Sequence, residues 1–241
     1  MAKVAIVTGG SRGIGKAISQ QLAKDGFYVV VNFSGNQTAA DETVKEIKND
    51  GGQAIALKGD VSSLPDMEKV FAEAKKLGSL EVVVNSAGII KNSPIADLKL
   101  DEFDKIIQIN LRGTFIVLGL AAKNVQSGGR IISLSTSVIA LSAPSYGSYI
   151  ASKLGVEGLS HVLANELRGK NITVNIVAPG PVGTDLFYAG KSPELIEKMR
   201  KLPPLERLGE PEDISKVVSF IASPDGYWVN NQVVRVNGGY A

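Results

Sequence analysis

Cysteine is absent from this chain of 241 residues, and histidine occurs once, as His161. Without cysteine there is no disulfide framework, no thiol nucleophile and no thiolate metal site. A single histidine removes most metal cages and most Ser-His-Asp arrangements, so no metal is expected. Charge of one sign is also lacking: 26 Lys and Arg against 24 Asp and Glu leave a net charge of +2. Short basic groups such as Lys75-Lys76 and Lys198 to Lys201 sit beside acids and read as solvated faces, not as a nucleic-acid stripe. No apolar run approaches the roughly 20 residues of a membrane span. No charged leader precedes an apolar segment at the N-terminus. The expectation is a cytoplasmic protein with neither nucleic acid nor membrane as partner.

What is present is a regular alternation. With 44% apolar residues and 26 glycines, the chain is long enough to bury about three-quarters of its unfolded surface. Seven short runs rich in β-branched residues read as buried strands: 4–7, 28–32, 54–57, 81–85, 130–134, 173–177 and 233–236. Helical patterns lie between them at 13–25, 38–50, 65–77, 101–126, 148–168 and 211–222. Thr38, Asp101 and Ser148 fit as helix caps, and Pro65 and Pro211 suit a first helical turn. The alternation calls for an α/β fold, a single doubly wound Rossmann-type domain over 1–241 with helices on both faces of a parallel sheet. One stretch breaks the rhythm, Ala178 to Glu210. Within it Ser192-Pro193-Glu194 begins a short helix that Pro203-Pro204 stops, and an insertion of this length predicts a substrate lid near 185–205.

Two motifs carry chemistry. Tyr149-Ile150-Ala151-Ser152-Lys153 puts a phenol and an ammonium one helical turn apart on a shared face. Thr8-Gly9-Gly10-Ser11-Arg12-Gly13-Ile14-Gly15 follows a strand and opens a helix, so its backbone can approach a pyrophosphate at the helix N-terminus. No Gly-Lys-Ser/Thr follows, which sets it apart from a P-loop. A carboxylate at the end of strand two would accept from the 2′-hydroxyl of NAD. This chain instead reads Asn32-Phe33-Ser34-Gly35-Asn36, with no carboxylate before Asp41. Arg12 could pair with a 2′-phosphate while Ser34 and Asn36 donate to it, so NADP(H) is expected over NAD(H).

These residues, taken in order, resemble the short-chain dehydrogenase/reductase superfamily over essentially the whole chain. Thr8-Gly9-x-x-x-Gly13-x-Gly15 is similar to the family's cofactor turn, which also contains Ser11 and Ile14. Asp60-Val61 resembles the adenine contact, and Asn85-Ser86-Ala87-Gly88 the family's Asn-Asn-Ala-Gly. Asn110 resembles the helix asparagine, Tyr149 and Lys153 the catalytic pair, and Pro179-Gly180 with Val182 and Thr184 the nicotinamide segment. The resemblance implies a seven-stranded sheet and a homodimer or homotetramer built on helices 101–126 and 148–168, with Val233 to Ala241 at a second interface. It implies that Tyr149 exchanges the proton, that Lys153 holds the nicotinamide ribose, and that Asn110 supports a water path. It also implies a hydroxyl at the end of strand 130–134 that holds the substrate oxygen. Ungapped alignment favours Thr136; a shift of one residue would install Ser135 or Ser137.

The expected pocket walls are Ile89–Ile95, Val138–Gly147 and the lid. They are apolar, with Arg200 their one arginine, which favours a neutral, partly apolar ketone, aldehyde or alcohol over a small carboxylate. Tyr146 could touch substrate. A 3-oxoacyl-carrier-protein reductase is the alternative, with Lys123, Arg168 and Lys170 as docking charges. A non-catalytic NADP-binding sensor or scaffold is a third reading. His161 is expected in core or interface, and Tyr227 and Trp228 against the last strand.

Overall fold

In the computed structural model, which describes residues 1–241, the β-branched runs pair as parallel strands and the segments between them wind into helices. The first half of the chain contains β1 (Ala2–Thr8), α1 (Gly13–Lys24), β2 (Tyr28–Phe33), α2 (Gln37–Asn49), β3 (Gln53–Lys58), α3 (Leu64–Leu77), β4 (Gly78–Asn85), α4 (Leu100–Ile106) and α5 (Gly113–Asn124). The second contains β5 (Arg130–Leu134), α6 (Val138–Leu141), α7 (Gly147–Glu166), β6 (Thr173–Pro179), α8 (Asp185–Tyr188), α9 (Pro193–Arg200), α10 (Pro211–Ala222) and β7 (Val233–Val236). All seven strands lie in one sheet of order β3-β2-β1-β4-β5-β6-β7. The order reverses between β1 and β4, the crevice at which open α/β sheets take up ligands.

Alternation along each strand sends neighbouring residues to opposite faces. Val4, Ile6, Val83 and Ile131 pack with Met67, Phe71, Val117 and Leu163 of α3, α5 and α7. Ala5, Val7, Val84 and Ile132 pack with Ile18, Leu22, Ile47, Ile214 and Val218 of α1, α2 and α10. Two apolar layers therefore hold the sheet rigid between them, and the strand ends can carry polar groups.

Several local expectations are corrected. Helix α2 is capped by Asn36, whose side chain accepts from the Ala39 amide, so Thr38 lies inside the helix. Lys99 and Tyr146 occupy the cap positions of α4 and α7 without a side-chain bond, so neither Asp101 nor Ser148 caps a helix. The continuous helix expected over 101–126 is interrupted by a π-helical turn at Ile107–Arg112. Residues Leu100–Asn124 also contain enough apolar surface, at a mean hydropathy of 1.3, to match a membrane span by length and composition. That surface is explained by the fold: Ile116, Val117, Leu118, Leu120 and Ala121 are core residues beside the sheet. Trp228 stands 93% exposed, off the last strand, while Tyr227 lies under the Arg130 guanidinium, 5.2 Å from its ring centre. His161 meets the Asn231 side chain at 2.6 Å.

Candidate active site at the carboxyl edge of the sheet

Helix α7 begins above the ends of β4 and β5 and brings Tyr149 and Lys153 to one face. The Lys153 ammonium is buried and donates to the carbonyl of Leu134, the last residue of β5, at 2.7 Å. It lies 5.9 Å from the centre of the Tyr149 ring. An ammonium has three donors, so this one keeps capacity for a further oxygen ligand. Burial pushes Lys153 down to about 8. Burial pushes Tyr149 up to about 12, with the Thr136 hydroxyl opposing the shift and Tyr146 adding to it. At neutral pH the phenol keeps its proton and most of the ammonium stays charged.

The three adjacent hydroxyls separate by their partners. Ser137 donates to the Ala178 carbonyl at 2.8 Å and accepts from Asn237 at 2.9 Å. Ser135 donates to Glu157 at 2.6 Å. Both serines are buried. Thr136 is half-buried, accepts only a long 3.3 Å bond from the Val138 amide, and faces the Tyr149 phenol. Ser137 and Ser135 are thus held by partners within the protein, and Thr136 is the least engaged of the three. Asn237 and Glu157 carry contacts that motif reading missed; the second could have been found from its place four residues after Lys153.

Asn110 sits within the π turn. Its amide clasps the loop after β4, accepting from the Ile89 N–H at 2.9 Å and donating to the Ile89 carbonyl at 2.9 Å and to Ser152 at 3.1 Å. Both amide protons are spent, so the side chain fixes the loop and has no proton left to donate to water. The loop is fixed from the other side as well. Thr8 receives the Ser86 and Ala87 amides at 3.1 Å each, and Asn85 donates to Thr114 at 2.8 Å. Gly88 is consequently held so close that a Cβ there would lie 3.5 Å from the Lys153 ammonium.

The glycine turn lies at the reversal point of the sheet. Gly9 has φ +63°, and a Cβ on Gly15 would fall 2.2 Å from the Gly9 carbonyl oxygen, so helix and turn approach to a distance only glycine allows. Arg12 stands at the N-cap of α1 without using its side chain as a cap, which leaves the first-turn amides directed into the crevice. Its guanidinium is exposed, as are Ser34 and Asn36. Asn32, carried as a cofactor-binding candidate, is buried, and its amide donates to the carbonyls of Leu57 and Gly59 at 3.2 and 3.0 Å. It ties β2 to β3 and to the turn that follows it. The Asp60 carboxylate accepts from the Ser62 amide and hydroxyl, both at 2.8 Å, while Val61 packs in the core. Across the crevice, Pro179 ends β6 and Thr184 caps α8, accepting from Phe187 at 3.2 Å. A Cβ on Gly13 would meet the Thr184 methyl at 3.3 Å, so the two predicted cofactor segments face each other.

The loops after β4 and β5 are strained. Leu98, Ser142 and Ser145 hold left-handed backbone angles of +48°, +48° and +68°, a conformation costly for residues with a Cβ. Their loops join where the Ser93 amide donates to Ser145 at 3.0 Å. Ile95 and Leu98 after β4, Leu141 on α6 and Leu186 on α8 are exposed. The excursion that contains α8 and α9 is closed at its base by a bridge between Val182 and Gly209. Arg200 pairs with Glu197 at 2.7 Å on α9 and offers no carboxylate clamp.

Comparison with known proteins accords with this geometry. Residues 9–241 match a family model described as enoyl-(acyl carrier protein) reductase. A short-chain type dehydrogenase/reductase of Picea abies is 47% identical over 98% of this chain and 92% of its own length. An NADPH-dependent aldehyde reductase 2, chloroplastic, of Arabidopsis thaliana is 42% identical over 98% of this chain and 93% of its own. Among solved structures, a short-chain dehydrogenase of Burkholderia cenocepacia in complex with NADP superposes with a TM-score of 0.92 at 32% identity, covering 99% of this chain and 97% of that one. The chain belongs to the short-chain dehydrogenase/reductase family.

Proposed function

We propose that this enzyme reduces neutral, partly apolar ketones or aldehydes with NADPH. The observation that carries the reading is a protonated, half-buried phenol beside a buried ammonium with donors to spare. Bound NADPH supplies the hydride. The glycine turn and the first amides of α1 receive the pyrophosphate. Arg12, with Ser34 and Asn36, receives the 2′-phosphate, for which a guanidinium is the better partner and a carboxylate would be a worse one. Lys153 turns its remaining donors to the nicotinamide ribose, beside Gly88.

At the reacting carbonyl, the Thr136 hydroxyl donates to the oxygen and stabilises the negative charge that grows on it. The Tyr149 hydroxyl gives its proton to the same oxygen, and the nearby ammonium stabilises the phenolate left behind. Asn110, Asn85 and Thr8 keep the loop at Gly88 in place while this happens. Exposed apolar residues on the outer face of α5 and α7, Phe115, Leu154 and Val162, support a homodimer through that face.

A carrier-bound thioester is the second reading, favoured by the description of the matching family model. Arg168 and Lys170 follow the far end of α7, whose 20 residues span about 30 Å, so within one protomer they lie far from Tyr149. The test is loss of nicotinamide absorbance with an aldehyde, a diketone, an aromatic ketoester and an acetoacetyl thioester. Tyr149→Phe should lower the rate by about 10²–10⁴-fold. A mutant as fast as the parent would remove Tyr149 from the chemistry. Thermal stabilisation by NADPH with no turnover on any carbonyl would favour the sensor reading.

A further inference from the structure

Helix α7 has a third polar group on the face that presents Tyr149 and Lys153. Glu157 lies one turn beyond Lys153, and its Oε1 accepts from the buried Ser135 hydroxyl at 2.6 Å, the short length of a bond to a carboxylate. One turn further, Ser160 donates to the Val156 carbonyl at 2.9 Å, and its hydroxyl meets that of Ser133 at 3.2 Å. The helix is thus joined to the end of β5 at successive turns: Lys153 to Leu134, Glu157 to Ser135 and Ser160 to Ser133. The middle contact falls on the residue between the Leu134 carbonyl that holds the ammonium and the Thr136 hydroxyl that faces the phenol.

We infer that Glu157 is a positioning residue for reduction: by gripping Ser135 it sets the two flanking peptide planes, and so aims the Leu134 carbonyl at Lys153 and the Thr136 hydroxyl at the substrate oxygen. The backbone alone holds this segment from the other side only. The Ser135 and Ser137 amides donate to Val177 and Pro179 of β6, each at 2.8 Å. Nothing in that pairing sets the rotation of the segment towards α7; the Ser135–Glu157 bond does. A shift of about 1 Å in a reacting group can cost on the order of 10²-fold in rate, so a contact one residue from both groups is well placed to matter.

The inference rests on the carbonyl-reductase reading above, and one experiment separates the two. Steady-state kinetics with the best carbonyl are measured for the unaltered enzyme, Glu157→Ala, Glu157→Gln, Ser135→Ala and the Glu157→Ala/Ser135→Ala double variant, with NADPH affinity from fluorescence titration for each. Expected is a fall in kcat of about 10-fold for Glu157→Ala, with NADPH affinity and KM for the carbonyl changed by less than about 2-fold. Glu157→Gln retains an acceptor and should recover most of kcat. The double variant should be no slower than Glu157→Ala, because both single changes remove the same bond. Unchanged kcat in Glu157→Ala, a Glu157→Gln variant as slow as Glu157→Ala, or multiplicative losses in the double variant would each overturn the inference. No turnover by the unaltered enzyme would overturn the reductase reading and this inference with it.

Discussion

Two cations are buried at opposite ends of the same strand. Arg130 opens β5, and Lys153 binds the carbonyl of Leu134, which closes it. Burial lowers the proton affinity of both. Their surroundings differ. The guanidinium donates to the carbonyls of Gly128, Gly129 and Ser223 and lies on the Tyr227 ring, drawing the turn before β5 and the turn after α10 together. A guanidinium stays charged at any ordinary pH, so this position can only be architectural. The ammonium has one carbonyl and is displaced to a proton affinity near 8, within reach of physiological change. One end of the strand carries a fixed charge for shape; the other carries an adjustable charge for chemistry.

The largest test of that contrast is Lys153→Met. Turnover should fall by about 10²–10⁴-fold, while the urea midpoint at pH 7 changes little, since losing one hydrogen bond is offset by removing a charge from a dry site. Next comes pH. The folded lysine titrates near 8 against 10.5 for an ordinary one. Between those values the unfolded chain binds the additional proton, so stability should rise with pH, by up to about 3 kcal/mol. Tyr149 acts in reverse above its ordinary 10.0 and up to about 12, where the folded chain holds a proton that the unfolded chain has released. Urea midpoints from pH 7 to pH 10 should climb more steeply in the parent than in Lys153→Met; parallel curves would contradict the displaced lysine. The smallest effect is expected for Arg130→Met. It should lose about 1–3 kcal/mol through unpaired buried carbonyls, with kcat per folded molecule retained. A drop in kcat would show that the two ends of β5 are coupled.

The strands were legible because Val4–Val7, Tyr28–Asn32 and Arg130–Leu134 are β-branched runs bounded by turn residues, a signal set by local chemistry. The helix caps at Thr38, Asp101 and Ser148 were misplaced because several residues near each start can cap, and only the true boundary selects among them. The reacting hydroxyl could not be chosen from Ser135-Thr136-Ser137, since one residue of shift changes its neighbours completely. The structure distinguishes them by giving the two serines partners from α7, β6 and Asn237. The bonds of Asn32 were not legible for a related reason: an amide suits many partners, and only the register of β2 on β3 brings it to the Leu57 and Gly59 carbonyls.

The π turn at Ile107–Arg112 acts as a phase adjuster. Winding one additional residue into a helix advances the azimuth of everything after it by about 100° relative to an uninterrupted spiral. Before the turn, α4 contributes one buried residue, Ile106; after it, α5 presents a broad apolar face to the sheet. Asn110 occupies the joint, aimed at a third direction, towards the loop after β4. A single continuous rod could not serve all three bearings, and shortening the turn by one residue would rotate the asparagine away from Ile89 or the apolar stripe away from the sheet.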